Sequence, residues 1–414
     1  MLSLYVMHVK QHPAAQWNGG RALFCAAILA LSSACAQLVD LGGPTIGDDG
    51  APRPGSGLPD RDPATSQGEG GPTSPAEACQ ADLSSDAQHC GFCNHTCGGA
   101  ECRAGLCVPT VIVQVDDVQA LAVSDDGVFF TTEHDVQGCP ATPQAACRSL
   151  VDVGLVKLAT AWGSSGGDVG ASSGGGSPSP LSPRALALFG DRFYYADEKY
   201  ESVISCPKTG CTTAAIASIH AYDADFEGGL AVDGRNVYWG DERGIGVAPL
   251  PPPGAHRDGT YLEDSAMRNV RRLEVGTVQG RDQLVFRGRD GVFAIGVERG
   301  DTSSDVHRGS IVRDFASDTQ SVFVATSTSV VRVDRMTLAR TTVLAVNDGE
   351  VSRLAADSNG VYAATSGNGG TTLQQLGAAG EVRRVATSPS VGAIALTASW
   401  LYYAGDGAIR RVHR

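Results

Sequence analysis

The stretch LAVDGRNVYW, Leu230 to Trp239, places an apolar residue seven positions before an apolar-aromatic run, with Asp233, Gly234, Arg235 and Asn236 between them. Asp, Gly and Asn tolerate the backbone of a tight turn, and β-branched and aromatic residues suit a half-buried pleated surface. The stretch therefore reads as strand, turn, strand. The same internal spacing recurs in LAVSDDGVFF from Leu121, LALFGDRFYY from Leu186, TVQGRDQLVF from Thr277, FASDTQSVFV from Phe315, LAADSNGVYA from Leu354 and IALTASWLYY from Ile394. These anchors are 65, 44, 47, 38, 39 and 40 residues apart, and a recurrence of roughly 40 to 45 residues is the period of β-propeller blades. The fold predicted is all-β, a seven-bladed propeller of four-stranded antiparallel blades.

Working outward from each unit, a third strand is expected in GLVKLAT from Gly154, SVISC from Ser202, GVFAIGV from Gly291, SVVRVD from Ser329 and AIRRVH from Ala408. A more polar fourth strand is expected in TTVLAV from Thr341 and EVRRVAT from Glu381, as suits a solvated blade edge. The last unit stops after its third strand, and TVIVQV from Thr110 has no blade of its own. Pairing that orphan with the last unit closes the ring and leaves no incomplete sheet.

The chain has 414 residues, 52 of them Gly, aromatics at 6% and a net charge of −13. Many Gly and short apolar runs fit an all-β repeat protein rich in turns. The acidic balance argues against a nucleic-acid partner, which would call for clustered Lys and Arg.

Ahead of the repeats, Arg21 precedes an apolar stretch from Ala22 to Ala34. That is too short to cross a bilayer and suits the apolar region of a secretory signal. The end of residues 1–35, Leu31-Ser32-Ser33-Ala34-Cys35, resembles a bacterial lipobox, with Leu31 four places before the Cys. The resemblance implies lipidation of Cys35 after export, with the membrane engaged only through that lipid. Ala36 carries none of the acidic inner-membrane retention signal, which favours the outer membrane. Residues 36–77 are rich in Pro, Gly, Asp and Ser, cannot bury enough surface to offset their ordering entropy, and read as a disordered tether.

Residues 78–109 hold Cys79, Cys90, Cys93, Cys97, Cys102 and Cys107 among few core-forming residues. Cross-links or a metal must hold such a segment together. Export favours three disulfides, whose pairing the spacing leaves open. Zinc is the competing reading, through Cys90, Cys93, His89 and His95, and would need thiols kept reduced outside the cytoplasm. The module resembles the short Cys-rich segments that precede propeller domains in myxobacterial surface proteins, and that resemblance implies no activity. Residues 110–414 form the propeller. Within it, Cys139 and Cys147 are expected in an insertion between second and third strands of the first blade, and Cys206 and Cys211 around a turn in the second, both as loop-stapling disulfides.

Tyr238-Trp239-Gly240-Asp241 and Tyr194-Tyr195-Ala196-Asp197 resemble the Tyr-Trp-Thr-Asp and related NHL-type propeller families. That resemblance implies a blade-bracing role for Asp197 and Asp241 alone, because the other units carry Thr or Gly at that position. There is no Gly-x-Ser-x-Gly, His-Glu-x-x-His or phosphate-binding loop. His134, His220, His256, His307 and His413 are scattered and read as surface or turn residues. Acidic turns such as Asp125-Asp126 could hold Ca2+, although turn geometry alone explains them; no other cofactor is expected. The functional expectation is an exported cell-envelope scaffold that binds protein or glycan. The alternative is a lactonase-like hydrolase or lyase, whose metal site would gather three or four carboxylates or His at the central channel.

Overall fold

The computed structural model describes residues 82–156, 181–221, 226–262, 267–297, 301–309, 311–377 and 380–414. Cys35, Cys79 and the 36–77 tether lie outside the described residues. Ser74–Arg414 make one compact unit.

Seven antiparallel sheets form a ring of blades. Their innermost strands are Ala120–Ser124, Pro183–Phe189, Phe226–Val232, Arg272–Val278, Val312–Ser317, Glu350–Asp357 and Ala393–Leu396, in blades 1 to 7. Each lies against the innermost strand of the next blade, and that of blade 7 lies against that of blade 1, so the ring is closed. The orphan strand Thr110–Gln114 pairs antiparallel with Ala408–His413 as the outer strand of blade 7, as the sequence predicts. Closure buries Ile112 with Val128, Phe130, Tyr402 and Ile409 in one apolar cluster. A ring closed by chain end on chain start leaves no unpaired sheet edge at the seam.

The aromatic runs supply the packing between blades. Tyr195, Trp239, Phe286, Phe315, Tyr362 and Tyr403 are among the largest fully buried side chains. Burying such a side chain contributes about 1.5–3 kcal/mol relative to leaving it exposed. Trp239 imposes a close approach that only glycine meets: a Cβ on Gly246 would stand 1.9 Å from its indole ring, and one on Gly259 2.2 Å.

Two expectations are corrected, and one blade gains a strand. In blade 4, Leu273 pairs with Phe286, so the anchor is Leu273 and not Thr277, which is exposed opposite Asp282. The hairpin there is longer than its siblings, with its turn at Gln279 and Gly280. In blade 1 the third strand is Val136–Cys139 and the outer one Arg148–Ser149, while Val153–Val156 is a single helical turn. Cys139 and Cys147 therefore bracket the turn between third and fourth strands, and not an earlier insertion. In blade 2 a fifth strand is present: His256–Asp258, from the excursion of blade 3, runs parallel to the outer strand Ala217–His220. That strap ties two neighbouring blades along their rims.

Candidate functional site

The innermost strands of blades 4, 5 and 6 meet around one guanidinium. Arg272 opens the blade 4 strand and donates to Asp314 of blade 5 at 2.7 Å, to Glu274 of its own strand at 3.0 Å and to the Leu354 carbonyl of blade 6 at 3.2 Å. The other Asp314 oxygen accepts the Leu354 N–H at 2.8 Å. Register shifts between Val312 and Asp314 and between Val351 and Arg353 turn these groups toward each other. Glu274 also accepts the Ser317 hydroxyl, and the Arg272 guanidinium lies 5.4 Å from the Phe315 ring centroid. One arginine thus staples three blades.

Burial acts against the Arg272 charge, but the two carboxylates outweigh it and hold the guanidinium above its ordinary pKa. Burial pushes the Glu274 carboxyl up, against the pull of Arg272 and the Ser317 hydroxyl. Arg272 is 31% exposed while Asp314 is 7% exposed, so the pair sits at the inner edge of the channel rather than deep in a core.

More arginines surround this staple. Arg287, half-buried, donates to the Arg313 carbonyl. Arg353, exposed, donates to the Gly392 carbonyl of blade 7 at 2.6 Å. Arg313 pairs with Glu350 at 2.8 Å, and Arg271 is exposed beside Arg272. Burial, together with the charges of Arg271, Arg353 and Arg272, holds Arg287 below its ordinary pKa, with Asp314 opposing. Five arginines thus face three carboxylates (Glu274, Asp314 and Glu350) at the start of these strands. On a chain of net charge −13 this is a local inversion of sign. Sequence reasoning missed it because these arginines come from different blades; the Arg271-Arg272 pair was the one local signal.

The cysteine module packs on the outer strand of blade 6, Val382–Ser388, and on Trp400 and His413 of blade 7. Cys90 pairs with Cys102 and Cys97 with Cys107, all four buried. They share one apolar cluster with Tyr362, Leu401, Tyr403 and Val412 of blades 6 and 7. Phe92 stacks on His95 at 4.3 Å and lies under the Arg383 guanidinium. Gly98 abuts Trp400 and His413 so closely that a Cβ would stand 2.6 Å from the indole. Cys93 is exposed with no disulfide partner among the described residues. The sulfurs of Cys90, Cys97 and Cys102 lie within 4.8 Å of one another because the two disulfides are adjacent. That cluster is an oxidised one, which leaves no thiolate there to ligate zinc.

Cys206 and Cys211 are also bonded to each other. Asp197 and Asp241 are fully buried. Asp197 accepts the Ser182 and Tyr200 N–H groups at 3.2 and 3.1 Å, and burial raises its pKa against those bonds. Asp241 accepts the Arg243 and Gly244 N–H groups and, at 2.5 Å, the Tyr261 hydroxyl. These side-chain bonds stay within one blade and its loops. The link from blade 3 to the start of blade 4 runs through the main chain, Val270 N–H to the Asp241 carbonyl. Asp126 is bonded to Lys208 at 3.2 Å, a cation already beside that acidic turn.

Four of the five scattered histidines, His220, His256, His307 and His413, are half-buried. The rim strap sets Ser218 opposite His256, with the Ser218 hydroxyl 3.0 Å from Nδ1 and Asp258 3.9 Å from Nε2. This is not a nucleophile: Ser218 is 1% exposed and therefore closed to substrate, and the Asp258 distance is too long to orient the ring. Among the described residues, the inner strands bring Glu274 and Asp314 together at the axis with Arg272 on both, short of the three or four free ligands a lactonase-like centre needs.

No protein-family model matches this chain, and no curated protein matches it. Solved structures do, at the level of fold. The WD40 β-propeller domain of Doa1 aligns with a TM-score of 0.53 at 10% identity, over 74% of this chain and 97% of that one. A catalytically inactive virginiamycin B lyase from Staphylococcus aureus with quinupristin gives 0.53 at 10%, over 74% and 98%. The extracellular domain of a protein described as a hybrid two component system from B. thetaiotaomicron gives 0.51 at 10%, over 74% of this chain. This chain spans 39% of the length of that structure. No helix among the described residues is long and apolar enough to cross a membrane.

Proposed function

We propose that this chain is an exported binding module of the cell envelope, anchored through a lipid on Cys35 and held away from the membrane by the 36–77 tether. Its propeller presents the arginine-rich axial mouth to an anionic protein or glycan. The observation that carries this reading is the arrangement at the mouth: Glu274 and Asp314 are engaged with Arg272 and Glu350 with Arg313, and Arg271 and Arg353 stand exposed around them. Guanidinium groups suit carboxylate, sulfate and phosphate through paired hydrogen bonds. The described cysteine module packs on the outer strand of blade 6 and on blade 7, not on the mouth arginines. An extracellular domain and a WD40 domain among the structural neighbours support a display role for this architecture.

The test is retention of the purified chain on immobilised heparin and on immobilised polyglutamate at low ionic strength. Wild type is retained and elutes with salt, and Arg271→Glu/Arg353→Glu flows through. A wild type that passes both matrices unretained sinks the binding reading. For the anchor, Cys35→Ala moves the chain from the membrane pellet to the soluble fraction; an unchanged distribution removes the lipid.

A further inference from the structure

A separate site opens between blades 5 and 6, away from the axis. Near the channel these two blades meet through Ala316, Phe323, Val351, Leu354, Val361 and Ala363, an apolar contact like those elsewhere in the ring. Farther out the contact gives way to a cleft of about 500 Å3. Asn347, Asp348, Thr372, Gln374, Arg384 and Thr387 bound it. The strand alternation explains the polarity. In the third strand of blade 6, Gly370–Leu376, Leu373 points into the seam toward blade 7, so Thr372 and Gln374 point the other way, toward blade 5. The register with the outer strand sets Arg384 opposite Gln374 and Thr387 opposite Thr372 on that same surface.

A propeller gains stability by filling such a seam with apolar side chains, and this one is left open and polar. The Gln374 Oε1 atom is buried with no hydrogen-bond partner, an unfavourable state unless a donor arrives from outside the chain. Asp348 and Arg384 oppose each other in charge, so the cleft has no net charge, unlike the mouth. Hydroxyls and carboxamides offer donors and acceptors side by side, the pattern that vicinal hydroxyls satisfy. The volume lies within the range of small-molecule sites, roughly 300–1,000 Å3. No aromatic side chain lines the cleft, so recognition proceeds by hydrogen bonding rather than by stacking on a ring face.

We propose that the cleft between blades 5 and 6 binds a neutral, hydroxyl-rich ligand, a single sugar unit, with Gln374 accepting from a ligand hydroxyl and Arg384 donating to one. This site shares no residue with the arginine mouth, so either reading can fail without the other.

The experiment is saturation-transfer NMR followed by calorimetric titration of the full, oxidised chain. The probes are glucose, galactose, N-acetylglucosamine and rhamnose, with glutamate as a charged control. At least one sugar binds at millimolar concentration and glutamate does not. Gln374→Leu and Thr387→Val each weaken that binding about tenfold or more, the loss of one well-placed hydrogen bond. Gln374→Leu also raises the melting midpoint, because it removes the unpaired buried acceptor, an opposite movement from that of a residue kept for stability. Arg281→Glu, on the exposed hairpin of blade 4, leaves sugar affinity unchanged. If Gln374→Leu fails to fold, exposed Thr387→Val carries the test. Absence of binding to every sugar overturns the proposal. So does wild-type affinity in Thr387→Val, preference for glutamate, or loss of sugar binding in Arg281→Glu.

Discussion

Asp314→Ala removes the acceptor that joins blades 4, 5 and 6. Two bonds vanish, Arg272 to Asp314 at 2.7 Å and Leu354 N–H to Asp314 at 2.8 Å. Breaking a buried ion pair from one side costs about 3–5 kcal/mol when the surviving charge is left alone. Here Glu274 remains on Arg272, and the guanidinium is 31% exposed, so the charge is only partly stranded. The Leu354 N–H, by contrast, becomes a buried unpaired donor, worth about 1–3 kcal/mol. Together these place the loss near the lower end, about 3 kcal/mol. With a melting entropy of about 2 cal/mol/K per residue, a propeller of roughly 300 residues changes by about 0.6 kcal/mol/K, so the midpoint falls about 5 °C. Asp314→Asn keeps an acceptor for Leu354 and loses only the charge, and should fall by about half as much. The assay is differential scanning calorimetry at neutral pH with disulfides intact. Replacing both partners, Arg272→Met with Asp314→Leu, should recover part of the loss, since no charge is then buried alone. Midpoints for Asp314→Ala within about 1 °C of wild type would refute the staple.

Gly246→Ala places a methyl group inside the Trp239 ring envelope and costs about 1–3 kcal/mol or more, read as a lower midpoint and a shifted tryptophan emission. Acid should destabilise the fold through His256, His307 and His413, whose folded pKa values burial depresses first and neighbouring charges lower further, apart from the Asp258 pull on His256. The unfolded chain then binds protons more readily than the folded one, so this stability is present above about pH 6.5 and is lost as pH falls toward the folded values. Melting midpoints across that window check it, and Phe in place of all three histidines should flatten the profile. Cys97→Ser with Cys107→Ser should expose residues 82–109 to protease while the blades stay protected, at a cost of about 2.5 kcal/mol for a loop of this length.

The propeller was legible because each blade is a local event. Leu230 finds Trp239 across a single turn, and the pairing is written in ten consecutive residues. Local rules mislead where they have more than one solution. Thr277 keeps the spacing of its siblings while Leu273 makes the contact, because a hairpin lengthened by whole residue pairs preserves alternation and hides the shift. GLVKLAT carries strand-like alternation, yet Val153–Val156 coils into a turn, and the shorter Val136–Cys139 takes the third place beside Gly127–Thr131. The candidate sites were hardly legible at all. Arg272, Asp314 and Leu354 are separated by 42 and 40 positions, and no window of sequence holds them together.

By itself, then, the sequence determined the repeat, the blade number and the closing strand from Thr110, since hairpin formation and ring closure depend on short-range pattern and on one unpaired strand. Tertiary structure alone decided which charges meet. The channel mouth is assembled from the starts of strands in different blades, the polar cleft between blades 5 and 6 from side chains that alternation turns away from one seam and into another, and the cysteine pairs from a collar folded against blades 6 and 7. Charge and hydrogen bonding act over a few ångströms, and that proximity is set by the closed ring, not by position along the chain.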